Sequence, residues 1–299
     1  MSILNERKSI ILNNTKVPHK ISYIVWYSEK IKKTICAVEY FFCVHRLTGN
    51  ARDFDRLAAA LINDSHNRIV ICPDMAGRGD SDYLEDPKDY NYFTYIYDVG
   101  EIIRTTLGCT SPQFNYLGTS MGGLIGIMLF STDEFKDRVR NFILNDISPK
   151  VPKAPLQLIA DYLGKDERFK DKQDAIEYFK RIHSGFGILS NDKYWSELTD
   201  NCTTYDPNTC EFRLHYDPKI GFNFSEIKEV DLMEYYKLIK CNILILRGKN
   251  SEILPKDIYD EVLSYPTPKA IGVEFDNVGH APSLVVDDQL ETILKFIKN

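Results

Sequence analysis

Missing from this sequence of 299 residues is any apolar run approaching the roughly 18 residues that a membrane helix needs, so membrane insertion is not expected. Residues 1–16 offer only Ile10, Ile11 and Leu12 as an apolar block, too short for the core of a secretion signal. A basic excess is also absent. Lys and Arg number 37 against 43 Asp and Glu, a net charge of −6 with both signs spread along the chain, so nucleic acid is not an expected partner. The cysteines are odd in number, seven, and Cys36, Cys43, Cys72, Cys109, Cys202, Cys210 and Cys241 show no metal-like spacing, which fits reduced thiols in a cytoplasm. The six histidines never fall three or four residues apart, so no metal site on a helix is expected.

What is present is a rhythm. Short apolar runs at Ile21–Tyr27, Thr34–Ala37, Tyr40–Val44, Arg68–Cys72, Gln113–Leu117, Val139–Leu144, Asn242–Leu246 and Ala270–Phe275 read as strands, many of them apolar throughout. Helical stretches lie between them at Asp53–Ile62, Phe93–Leu107, Ser120–Phe130, Lys256–Leu263 and Ser283–Ile297. The pattern predicts an α/β fold, a mostly parallel, twisted sheet of eight strands with helices on both faces. Residues 1–149 and 236–299 form the expected core. Residues 150–235 break the rhythm with helical periodicity, as in Leu156–Leu163 and Asp174–Ile182, and read as an inserted helical cap. An insertion at the edge of a sheet where ligands bind serves as a lid or as an elaboration that thickens the fold, and the lid is the favoured reading.

The chemistry concentrates in Gly118-Thr119-Ser120-Met121-Gly122-Gly123, between the strand ending at Leu117 and the apolar run Leu124–Phe130. This is a G-x-S-x-G nucleophile elbow, in which glycines two residues either side of the serine remove the Cβ atoms that would collide in a tight strand-to-helix turn. Serine needs an imidazole to take its proton, and His280, in a loop after the last expected strand and before the last helix, has the chain position for it. His45 ends the run Tyr40–Val44 and opens a loop placed to supply an oxyanion donor. Leu47 N–H and Met121 N–H are the expected donors. His45 itself reads as a structural hydrogen-bonding residue at the pocket rather than a second base. The aromatic content of the cap is expected to be mostly packing, with Trp195 among the residues lining a substrate pocket.

Seven segments, DFDRLA (Asp53–Ala58), PDMAGRGDSDYL (Pro73–Leu84), GTSMGG (Gly118–Gly123), NDISP (Asn145–Pro149), HYDPKI (His215–Ile220), LRGKNSE (Leu246–Glu252) and VGHAPSL (Val278–Leu284), make the chain resemble the α/β-hydrolase superfamily. Within it the chain is similar to a bacterial branch of capped serine hydrolases. The resemblance runs from about residue 40 to the C-terminus and includes the cap. It implies hydrolysis of esters, lactones or carbon–carbon bonds, without a cofactor. It also makes Arg78-Gly79-Asp80 part of an ordinary turn rather than an adhesion tripeptide.

Two points in the resemblance are open. The usual His-Gly before the oxyanion donor is His45-Arg46 here, so Arg46 strains the loop or brings a guanidinium to the pocket mouth, or else points harmlessly outward. The acid of the triad is Asp146, favoured because some branches carry it after the strand that follows the nucleophile helix, or Glu252, nearer the commoner location, where Ser251 holds the usual Asp position. The expectation is a cytoplasmic serine hydrolase acting on a small or medium acyl substrate through Ser120, His280 and Asp146. Carbon–carbon bond hydrolysis, lactonase or thioesterase chemistry and slow-turnover ligand sensing are the alternatives, and a homodimer is left open.

Overall fold

A computed structural model describes residues 2–31, 38–108, 113–187, 192–224, 228–266 and 268–298. The chain opens with an antiparallel pair, β1 (Ile3–Leu12) and β2 (His19–Ser28), and continues through β3 (Glu39–Val44), α1 (Asp55–Asp64), β4 (Arg68–Pro73), α2 (Tyr92–Leu107), β5 (Phe114–Thr119), α3 (Met121–Phe130) and β6 (Val139–Asn145). An excursion follows, comprising β7 (Lys150–Val151), α4 (Lys153–Tyr162), β8 (Arg168–Phe169), α5 (Lys172–Ile182), α6 (Asp192–Cys202), β9 (Thr203–Asp206), β10 (Glu211–Leu214), β11 (Val230–Asp231) and α7 (Met233–Tyr236). The chain then completes the sheet with β12 (Asn242–Gly248), α8 (Lys256–Ser264), β13 (Ala270–Phe275) and α9 (Asp287–Ile297).

Eight strands form one sheet in the order β1-β2-β4-β3-β5-β6-β12-β13. The β1/β2 and β2/β4 pairs are antiparallel and the remaining five are parallel. The apolar runs of β3, β5 and β12 sit in the interior because helices cover both faces. One face packs against α1 and α9 through Leu57, Leu61, Ile293 and Phe296, and the other against α2, α3 and α8 through Val99, Ile125 and Val262. Helix α3, with the sequence MGGLIGIMLF, has no polar face and is buried at nearly every position.

The strand count matches the expectation, but the membership differs. Thr34–Ala37 lies outside the described residues, and the eighth strand is Ile3–Leu12. That segment carries Glu6, Arg7 and Lys8, so no apolar run marks it. It pairs over ten positions with β2 at the sheet's edge, where charged outward side chains discourage further pairing. The excursion is also less purely helical than expected. It holds a three-stranded antiparallel sheet, β8-β10-β9, whose strands are too short to show a period, and a third helix, α6, that the sequence pattern did not separate. Where the chain leaves the sheet and where it returns, β7 and β11 pair side by side, Val151 opposite Val230.

Candidate active site

The turn between β5 and α3 is shaped by its glycines. Ser120 sits at φ 51°, ψ −115°, a conformation that L-residues avoid unless the surroundings enforce it. A Cβ on Gly118 would lie 2.3 Å from the Gly122 carbonyl carbon, and one on Gly122 would lie 2.1 Å from the Val44 carbonyl oxygen. The second contact shows how closely the first turn of α3 approaches the end of β3. The loop beginning at His45 is thereby brought beside the serine.

His280 lies in the loop after β13, with its Nε2 2.9 Å from Ser120 Oγ and its Nδ1 2.7 Å from Asp146 Oδ2. Asp146 closes β6 at φ 54°, fully buried, and its backbone N–H donates to Leu246 O on the neighbouring strand end. Its carboxylate accepts two further hydrogen bonds, from Gly248 N–H at 2.8 Å to Oδ1 and from the Ser251 hydroxyl at 2.5 Å to Oδ2. Three donors on one buried carboxylate hold it in place and fix the orientation of the imidazole. Glu252 is exposed and is not brought to His280. Sequence reasoning passed over Ser251 as a functional residue. The signal for it was the non-acidic residue at the usual acid position: Ser251 there donates a hydrogen bond to Asp146 at the end of β6.

Among the described residues the Leu47 and Met121 N–H groups have no hydrogen-bond acceptor, and Met121, directly after Ser120, is the first residue of α3. His45 is fully buried. Met75 N–H donates to its Nε2 at 3.0 Å and its Nδ1 lies 2.6 Å from Arg46 O, so the ring is a neutral strut joining two loops. Burial, which outweighs the hydrogen bond to the Arg46 carbonyl, pushes its pKa down to about 3.

Arg46 neither strains the backbone nor points outward. The side chain folds back over Gly49, where an added Cβ would meet Asp53 and Arg46 itself, and pairs with Asp53. Burial opposes its charge, but Asp53 offsets this and holds the guanidinium protonated. From the cap, the Phe186 ring lies 5.1 Å from it and His183 Nε2 lies 3.5 Å from its Nη2. His183, stacked between Phe179 and Phe186, is held well below the usual histidine pKa, by burial first and then by Arg46 and His280.

A cavity of about 410 Å³ opens between the start of α1, helix α6 and the loop after His280. Thr119, Asn145 and Ala281, the chain neighbours of Ser120, Asp146 and His280, form part of its wall, with Arg46 and Phe186. From α6 come Tyr194, Glu197, Leu198 and Asn201, the i, i+3, i+4, i+7 face of that helix. Trp195, expected at the pocket, falls on the opposite face with Thr199 and Cys202 and is fully buried inside the cap. No cluster of three His, Cys, Asp or Glu among the described residues is placed to hold a metal ion.

Residues 40–285 match the family described as the alpha/beta hydrolase fold. The chain belongs to that family. It is 31% identical over 289 residues to a 3-hydroxybutyrate-oligomer hydrolase from Cupriavidus necator, covering 93% of this chain and 92% of that protein. A solved hydrolase structure from Rickettsia typhi superimposes with a TM-score of 0.84 at 32% identity, covering 100% of this chain and 99% of that one. An α/β hydrolase from Novosphingobium aromaticivorans also gives 0.84, at 24% identity with 98% of both chains covered, and shares the fold. The protein is a hydrolase, and no helix among its described residues is long and apolar enough to cross a membrane.

Proposed function

We propose that this hydrolase cleaves carboxylic esters through an acyl-enzyme on Ser120. The observation carrying the reading is that a single imidazole, His280, contacts the serine hydroxyl at 2.9 Å and the buried Asp146 carboxylate at 2.7 Å. Ser120 Oγ attacks the ester carbonyl carbon as His280 Nε2 takes the hydroxyl proton, and the carbonyl π electrons move onto its oxygen. Leu47 and Met121 N–H groups donate to that oxyanion, and the positive end of α3 favours the same charge. On collapse the carbonyl re-forms, the bond to the alcohol oxygen breaks and His280 returns the proton to that oxygen. Water, deprotonated by the same imidazole, then releases the acid by the same two steps. Asp146 keeps the Nδ1–H tautomer and stabilises the imidazolium.

The substrate class we assign is a short linear ester of a hydroxy acid. Its support is the near full-length likeness to the Cupriavidus necator protein, together with a cavity of about 410 Å³ flanking the site, a size suited to a small ligand. In this reading residues 150–235 act as the substrate-selecting cap and the enzyme works in the cytoplasm. Hydrolysis of the linear 3-hydroxybutyrate dimer and trimer, followed by release of monomer, tests the assignment beside simple p-nitrophenyl esters. Turnover of the simple esters with none of the hydroxy acid oligomers would reject the substrate class and leave the ester chemistry. Cleavage of a vinylogous β-diketone in preference to every ester would reject both.

A further inference from the structure

Arg78 stands in the turn after β4 with its side chain fully buried, and among the described residues no carboxylate lies within ion-pair distance of its guanidinium. An enclosed cation without a counter-charge is costly unless its N–H groups are well used. Here they are. Nε donates to Leu47 O at 2.9 Å, Nη1 to Ala76 O at 2.6 Å and to the Tyr95 hydroxyl at 2.8 Å, and Nη2 reaches Met121 Sδ at 3.8 Å. The rings of Tyr95 and Tyr90 lie 4.9 and 5.9 Å from the guanidinium carbon.

Two of those contacts fall on Leu47 and Met121, the two residues assigned above as oxyanion donors. Leu47 and Met121 come from elements 74 positions apart in the chain, and the distance between their N–H groups must be set by something that touches both. Packing of Gly122 against Val44 sets the approach of the backbones, but Leu47 lies three residues further along a loop. The fork of Arg78 spans the remaining gap, holding the carbonyl of Leu47 with one arm and the side chain of Met121 with another. A planar fork that engages two partners at once along its Nε/Nη2 edge restricts both, which a flexible ammonium does less well.

We propose that Arg78 is a positioning residue of the oxyanion hole, holding Leu47 and Met121 at the spacing the tetrahedral oxyanion requires. The inference rests on the Ser120 acyl-enzyme reading. A merely structural Arg78 would serve only to brace the turn at Ala76. The two roles differ in what they change: bracing alters the fraction of folded protein, whereas positioning alters turnover per folded site.

The test compares wild-type enzyme with Arg78→Met and Arg78→Lys. Functional sites are counted by fluorophosphonate titration, kcat and KM are measured with p-nitrophenyl butyrate, and affinity is measured for a trifluoromethyl ketone, whose hemiketal adduct on serine carries the oxyanion. Positioning predicts that kcat per titrated site falls at least about tenfold in Arg78→Met with KM within about threefold, since the loss is confined to the transition state. The ketone should weaken in the same proportion, and Arg78→Lys should lie between. The proposal is overturned if Arg78→Met keeps kcat per site and ketone affinity within about twofold of wild type. If Arg78→Met does not fold, Arg78→Lys decides by the same threshold, because it retains the charge and loses the fork. Wild-type enzyme that neither titrates nor turns over would overturn the acyl-enzyme reading, and this inference with it. An active wild type with unaffected variants removes the role of Arg78 alone.

Discussion

Asp146 accepts hydrogen bonds from His280, Ser251 and Gly248, and the three partners differ in what their loss should do. Asp146→Asn presents the wrong tautomer to the serine and is expected to lower kcat by about three to four orders of magnitude with the fold intact. Ser251→Ala leaves the carboxylate two donors, and kcat should fall about tenfold, the scale of one charge-assisted hydrogen bond. Glu252→Gln should stay within about twofold of wild type, as expected of an exposed side chain remote from the imidazole. Steady-state kinetics on one ester distinguishes all three. Ser120 and His280 were legible in the sequence because a turn type and a chain order announce them. Ser251 was not, because its hydrogen bond is to a residue 105 positions away that no local pattern encodes.

His45 adds a pH dependence at the same scale. In the unfolded chain this histidine takes a proton near its ordinary pKa of 6.5, but in the fold it stays neutral down to about pH 3. Between those values the unfolded state binds more protons, so stability falls as pH falls, by about 1.4 kcal/mol for each pH unit below about 6.5. His183, also held well below its ordinary pKa, adds to this fall. The test is therefore the difference between wild type and His45→Gln, which retains an acceptor for Met75 N–H: unfolding free energies from urea titrations between pH 7 and pH 4.5 should fall less steeply in the variant. An unchanged slope in His45→Gln would contradict the neutral strut.

Among the elements, α6 divides its work between its faces. Its cavity face carries Tyr194 and Leu198 and its inner face carries Trp195, fully buried. Trp195→Ala should cost about 3–5 kcal/mol of stability through the void it leaves. Leu198→Ala should instead raise KM with little change in the urea midpoint. The reverse assignment would show that the helix is turned about its axis from the orientation described. Periodicity in the sequence did not separate α6 and could not give its phase, because which face is covered depends on partners supplied by α5 and the segment just before α1. For the same reason the short strands β8, β9 and β10 left no trace in the residue pattern, whereas β3, β5 and β12, buried on both faces, were plain as apolar runs.

For the molecule as a whole, the order of eight strands places the serine, the aspartate and the histidine together beyond the C-terminal ends of β5, β6 and β13. The central claim is that Ser120, His280 and Asp146 act together as an acyl-transfer unit. Rapid mixing of the full chain with p-nitrophenyl butyrate, with intact-mass analysis of the quenched protein, addresses it most directly. The account predicts a pre-steady-state burst of p-nitrophenol of up to one equivalent, a butyryl adduct mapped to Ser120 and sustained turnover, all lost in Ser120→Ala. Turnover that survives in Ser120→Ala, or an adduct formed only on another residue, would contradict it.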